Sequence, residues 1–221
     1  MCAQYTLNTR VQKLGQFFGI KVEKDQDIQL RVLPYTPGLV IRKINDQIKF
    51  EKMNYSLVPS WSKQSRVKFA SYNARLETIL EKPTWKVPFM SKRCLVPMSS
   101  FIEAIYTHEL AGNMVQFSEV ENKFLTAAGL WDAWIDPQTK QEIHSFAIIT
   151  DEPPPSILKA GHDRCPIFLK EATFSDWLDG RCTDPKSLFD LLKSQKEEIH
   201  FKTEIDRPLK VGWQKRHQEP L

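Results

Sequence analysis

No stretch of this 221-residue chain approaches the roughly 18 consecutive apolar residues of a membrane span, so no segment is expected to cross a membrane. The first residues carry neither a basic n-region nor an apolar h-region, which argues against export by a signal peptide. Cys2, Cys94, Cys165 and Cys182 lie far apart with no CxxC spacing, which excludes a zinc knuckle and a disulfide framework and predicts reduced thiols in a cytosolic compartment. His108, His144, His200 and His217 show no paired metal-ligand spacing; they are read as structural or solvated, and no metal or cofactor is expected. Internal repeats, low-complexity tracts and linkers are also missing. The formal charge of +4 admits an anionic partner such as nucleic acid without demonstrating one.

What remains is a globular composition, with 41% hydrophobic and 26% charged residues. A prior of about 150 residues per domain does not separate one domain from two; a single domain over residues 1–221 is expected, with a polar tail from about Lys215. Asn8 or Thr9 is placed to cap a short helix through Phe18, with Val11, Leu14, Phe17 and Phe18 on one face and Gly19 ending it. Alternating or β-branched runs at 28–32, 39–44 and 48–57 predict antiparallel strands, separated by the turn at 34–38 and by Asn45 and Asp46. From Val58 to Pro88 the pattern breaks into a polar, basic stretch too long for an ordinary connection, the kind of loop that carries function. Strand signals return at 93–96, 101–106, 114–120, 124–131 and 144–150. A short helix over 153–159, a strand over 165–169 and helices over 171–178 and from Asp184 onward complete the pattern, the last with Pro185 at its first position. The fold class predicted is α+β, mainly antiparallel strands forming a partly closed barrel or sandwich with short peripheral helices.

Met1 followed by a small residue is a substrate for methionine removal, which leaves Cys2 as the N-terminus. An N-terminal cysteine sets an α-amine, with pKa about 8, beside a thiol, with pKa about 8.5. An aldehyde can form an imine with that amine and then take the thiolate on the same carbon, closing a thiazolidine. A lone cysteine is only a candidate nucleophile until a base and an orienting group accompany it.

The accompanying segments are Tyr72 to Thr78, Arg93 to Pro97 with Phe101 to Glu103, and Gly161 to Arg164. With Leu57 to Trp61, Ala128 to Asp132 and Ile148 to Thr150, their order resembles the SOS response-associated peptidase family, also called abasic-site processing proteins, over nearly the whole chain. That resemblance implies covalent linkage of Cys2 to abasic sites in single-stranded DNA, self-processing that removes Met1, and reactive roles for Cys2, Asn73, Glu103 and His162. It implies no membrane partner, a monomer, and a cytoplasmic location, nucleoid-associated in a bacterium. A desolvated Glu103 with raised pKa can protonate the ring oxygen of an abasic sugar and then act as base; the other reading is a surface strand glutamate. His162 can shuttle protons at neutral pH or hold a loop carbonyl, and Asn73 can orient the amine or the sugar or merely form a turn. Arg75 and Arg164 match family arginines that hold phosphates, or are ion-pair partners. Trp61, beside Lys63 and Arg66, is either a base-stacking face in a cationic groove or a core residue. Trp131 and Trp134 are assigned to the core.

Several positions depart from the family pattern. Gln4 stands where MCGR supplies an arginine, the turn around Pro34 lacks its asparagine, Ala104 replaces the last residue of FYEW, and Gly212 that of a late VN pair. Two further functions therefore stay open: an N-terminal-nucleophile amidohydrolase, whose downstream Asn-Gly oxyanion motif has no match here, and a non-catalytic single-strand-binding module, which Gln4 and Ala104 favour.

Overall fold

Side-chain alternation rather than helical periodicity governs most of the chain, and twelve strands form among residues 3–214, the part described by this computed structural model. Strand β1 (Gln4–Arg10) leads into helix α1 (Val11–Phe18), followed by β2 (Asp27–Val32), β3 (Pro37–Ile44) and β4 (Gln47–Tyr55). The long polar stretch then contains β5 (Asn73–Arg75), a 3-10 turn (Leu76–Thr78) and the start of helix α2 (Pro83–Ser91). Next come β6 (Arg93–Met98), β7 (Ser100–Ile105), β8 (Asn113–Glu119), β9 (Leu125–Ile135) and β10 (Glu142–Asp151). Helix α3 (Pro155–Lys159), β11 (Cys165–Pro166), α4 (Phe174–Leu178), α5 (Pro185–Ser194) and β12 (Phe201–Pro208) complete the order. The α+β class and its antiparallel character are as the sequence predicts.

Strands β4, β3, β6, β9 and β10 pair in succession, and β10 pairs back to β9 on one side and β4 on the other, so these five close into a barrel. A second sheet runs in the order β12-β8-β7-β1-β2. Alternate residues of the barrel strands serve two cores, as a period of two requires. Val40, Cys94, Val96, Ala127, Phe146 and Ile148 pack toward Tyr5, Phe101 and Phe117 of the second sheet. Their neighbours Ile41, Leu95, Ala128, Leu130, Ala147 and Ile149 pack with Trp85, Phe89, Trp177 and Leu188 of the helices. Gly129 sits where strands crowd: a Cβ there would lie 2.8 Å from Cys94 Sγ and 2.9 Å from Val96 Cγ2.

Four expectations are corrected. Asn8 and Thr9 do not cap α1, because both lie in β1, opposite Gln29 and Ile28 of β2. The sequence signal failed since β1 buries Gln4 and Thr6 along with Tyr5 and Leu7, which erases the polar–apolar alternation. The stretch to Pro88 is not all loop: α2 begins with Pro83 at its first turn and carries Pro88 internally, a residue normally read as a breaker. The chain does not end on helices, for β12 follows α5 as a polar edge strand on β8, with a bulge between Ile205 and Arg207. Trp134 is buried, but Trp131 is only half-buried, with the Arg42 guanidinium 4.0 Å above its ring. Gly19 ends α1 in the left-handed region and Asp184 caps α5, its Oδ2 accepting from Ser187 N at 2.8 Å. Asp184→Ala is expected to cost about 1 kcal/mol, read as a lower denaturation midpoint with an unchanged slope.

Candidate functional site

Glu103 is central. Its strand β7 lies between β1 and β8, and both faces of that position are covered, leaving the residue 2% exposed. A carboxyl group so placed has lost most of its hydration, and burial pushes its pKa above the usual carboxylate range, against the opposing effect of His162. The surface-strand reading of Glu103 is thereby excluded.

His162 Nε2 stands 3.4 Å from Glu103 Oε2. The ring is 8% exposed and is delivered by the turn after α3, where Gly161 has φ +99° and a Cβ would meet Thr107 O at 2.6 Å. Only glycine fits that turn. His162 Nδ1 lies 2.8 Å from the carbonyl of Arg164 and 3.2 Å from its amide nitrogen. A carbonyl only accepts, so the shorter contact is a hydrogen bond when Nδ1 carries a proton, whereas the amide contact needs a lone pair there. Glu103 and His162 are arranged to pass one proton between them.

Asn73 opens β5, buried, in parallel register with Ile148 of β10. Four residues on, Glu77 accepts from Arg164 Nη2 at 2.7 Å, which ties the segment from Asn73 to the segment carrying His162. Arg164 is therefore an ion-pair partner, although its buried Nε has no partner among the described residues. Glu77 is held below the usual carboxylate range by Arg164, against the burial that pushes it up more strongly as a single influence. Arg75 is exposed, and it lines a cavity of about 400 Å³ with Asn73, Phe69, Lys82 and Trp85. Phe69, an apolar ring in an otherwise basic loop, and Lys82 line this cavity although their local sequence does not mark them as candidates. A larger cleft of about 560 Å³, around Asn8, Arg10, Lys13 and Phe124, contains none of the reactive candidates.

Trp61 is 58% exposed, so the core assignment fails and an open ring face remains. Its loop is fastened to β9, with Ser60 N donating to Asp132 Oδ2 at 2.8 Å and Trp134 Nε1 donating to Ser62 O at 2.7 Å. No hydrogen bond or ion pair among the described residues joins Trp61 to the Glu103 group. Cys2 lies outside the described residues. The register Gln4 opposite Ile102 directs the N-terminal end of β1 toward Glu103. Cys94 and Cys165 are buried, and burial pushes both thiols far up, so neither is a working nucleophile.

A family profile described as SOS response associated peptidase (SRAP) matches residues 1–207. The chain is 28% identical over 196 residues to the abasic site processing protein YoqW of Bacillus subtilis, covering 87% of each chain. It is 30% identical over 156 residues to the abasic site processing protein HMCES of Pongo abelii, covering 58% of this chain and 44% of that one. The crystal structure of a protein from Bacteroides thetaiotaomicron has the same fold, with a TM-score of 0.73 at 20% identity over 93% of this chain and 92% of that one. No described helix is long and apolar enough to cross a membrane.

Proposed function

The chain belongs to the SOS response associated peptidase family of abasic site processing proteins, and from that premise we propose that it captures abasic sites in single-stranded DNA through Cys2 as part of the response to DNA damage. The observation that carries the reading is the buried Glu103–His162 pair, with Glu103 on β7, the strand against which β1 begins. In this scheme the matched span works as one domain and as a monomer, and needs no metal or cofactor.

Glu103, whose burial favours the protonated form, gives its proton to the ring oxygen of the abasic deoxyribose; the bond from C1′ to that oxygen breaks, the C1′ hydroxyl gives up its proton, and the aldehyde is left. The Cys2 amine adds to the aldehyde carbon; water leaves, with His162 and Glu103 relaying protons, and an imine remains. The thiolate of Cys2 then adds to the imine carbon and the nitrogen takes a proton, closing the thiazolidine. Asn73 orients the amine or the sugar with fixed hydrogen bonds. Removal of Met1 by hydrolysis of its peptide bond, using the same acid–base pair, precedes all of this. Exposed Arg75 and Trp61 hold a phosphate and a base, and Arg164 reaches a phosphate in exchange for its bond to Glu77.

Two outcomes test the scheme. Intact mass measurement after mixing the protein with abasic single-stranded DNA is expected to give a chain lacking Met1 and carrying the DNA; unmodified DNA is expected to give none. His162→Ala is expected to slow adduct formation about tenfold or more in single turnover with little change in DNA affinity. Equal rates for this variant and wild type would remove His162 from the chemistry, and DNA binding without any adduct would favour a non-catalytic binding module.

A further inference from the structure

Gln4, which departs from the family's arginine, is a meeting point of charge. Its Oε1 accepts from Arg31 Nη2 of β2 at 3.1 Å and from Arg207 Nη2 of β12 at 3.2 Å. These strands are the two edges of the five-stranded sheet, yet Asp206 of β12 also receives Arg31 Nη1 and Nη2 at 2.8 and 2.7 Å and bonds Arg207. The sheet is therefore curled until its edges are joined by side chains. Cross-strand partners share a face, so the pairs Gln4 with Ile102, Ala104 with Met114, Met114 with Arg207 and Thr6 with Arg31 set all three polar residues on one face, beside Ala104.

We propose that this face is a second phosphate-contacting site for the DNA strand, in which Arg31 and Arg207, positioned by Gln4 and Asp206, supply from β2 and β12 the cationic contact absent at position 4. The inference rests on the DNA-binding reading above. Three observations carry it. The guanidinium groups are half-exposed, at 39% and 45%, while Asp206, at 13%, lies beneath them. The bonds to Asp206 and Gln4 use three N–H groups of Arg31 and two of Arg207, out of five on each, so donors remain for a phosphate. With Lys202 and Glu204 on the same face, three cations stand against two carboxylates. Ile102 and Ala104, the pairing neighbours of this cluster, flank Glu103 in β7 with their side chains on the opposite face of the sheet, so the site is separate from the Glu103 group. Fixed guanidinium forks suit phosphate oxygens better than a mobile lysine would.

The test is anisotropy of labelled, unmodified single-stranded DNA, which cannot form the covalent adduct, at about 50 and about 200 mM salt. Each lost phosphate contact flattens the logarithmic salt slope by about 0.7, so for Arg31→Ala and for Arg207→Ala the fall in affinity between those salts should shrink about 2.6-fold relative to wild type. Asp206→Asn keeps the shape and removes a negative charge, so it should bind more tightly at low salt, by about twofold or more. Arg31→Ala also opens the bridge between the sheet edges, so thermal unfolding accompanies each measurement; Arg207→Ala and Asp206→Asn carry the test should that variant not fold. Unchanged affinity and slope in these variants, with wild type binding normally, would overturn the site and leave the DNA-binding reading standing. Wild-type protein that binds single-stranded DNA at neither salt concentration would overturn both.

Discussion

Glu103→Gln is expected to slow adduct formation on the order of 100-fold or more and, at the same time, to make the protein more stable at neutral pH. The amide keeps the shape of the side chain, but it cannot release a proton to the sugar ring. Stability follows from the raised pKa of Glu103. Between the unfolded glutamate value, about 4.3, and the higher folded value, the native state holds more protons than the unfolded chain. Unfolding free energy therefore falls as pH rises through that window and stays lower above it. Glutamine has no such titration, so the variant should unfold at a higher temperature than wild type at pH 7, with the gap closing as the pH drops below the unfolded value. Thermal melts across that range, alongside single-turnover crosslinking, give both halves. A Glu103→Gln variant that reacts at the wild-type rate, or one that is less stable at pH 7 and not below, contradicts the assignment of a buried acid of raised pKa.

The second large effect concerns the two nucleophiles of Cys2. Thiazolidine closure needs amine and thiol on one residue, whereas an ordinary thiol mechanism needs only sulfur. Cys2→Ser with Met1 removed keeps the amine; it should form an imine that borohydride traps and should promote strand cleavage, yet lose the adduct that survives heat without reductant. Retaining one extra residue before Cys2 keeps the thiol and converts the amine to an amide, which forms no imine, so this variant should lose essentially all stable adduct. Denaturing gels with and without borohydride separate the two. A heat-stable adduct on the extended variant would show that another nucleophile does the work, and Cys182, the half-buried thiol among the described cysteines, would be the next to test.

Much of this arrangement was legible in the sequence because strands with one apolar face announce themselves. The runs at β2, β3, β4, β8 and β10 were readable from alternation and turn residues, and Gly19 and Asp184 fixed two helix ends by local backbone chemistry. Strands β6 and β7, buried on both faces, still showed as apolar runs, but β1 and β12 did not. β1 hides polar Gln4 and Thr6 as well as Tyr5 and Leu7, while β12 leaves most of its residues in solvent, so neither alternates. The order of segments around Asn73, Glu103 and His162 pointed to the candidate site. Its pairing could not be read there, since the 3.4 Å contact between Glu103 and His162 depends on the turn at Gly161, and the partners of Gln4 lie 27 and 203 positions away along the chain. Choosing between the surface and buried readings of Glu103, or between the core and exposed readings of Trp61, likewise required the neighbours that only folding supplies.

The most direct measurement of the central claim is peptide mass mapping of the product formed between the wild-type protein and abasic single-stranded DNA. The account predicts a single modified peptide, beginning at Cys2 with Met1 gone, whose added mass is that of the sugar remnant less one water. A remnant mapped to a lysine or to an internal cysteine, or a modified peptide that still begins with Met1, would contradict it.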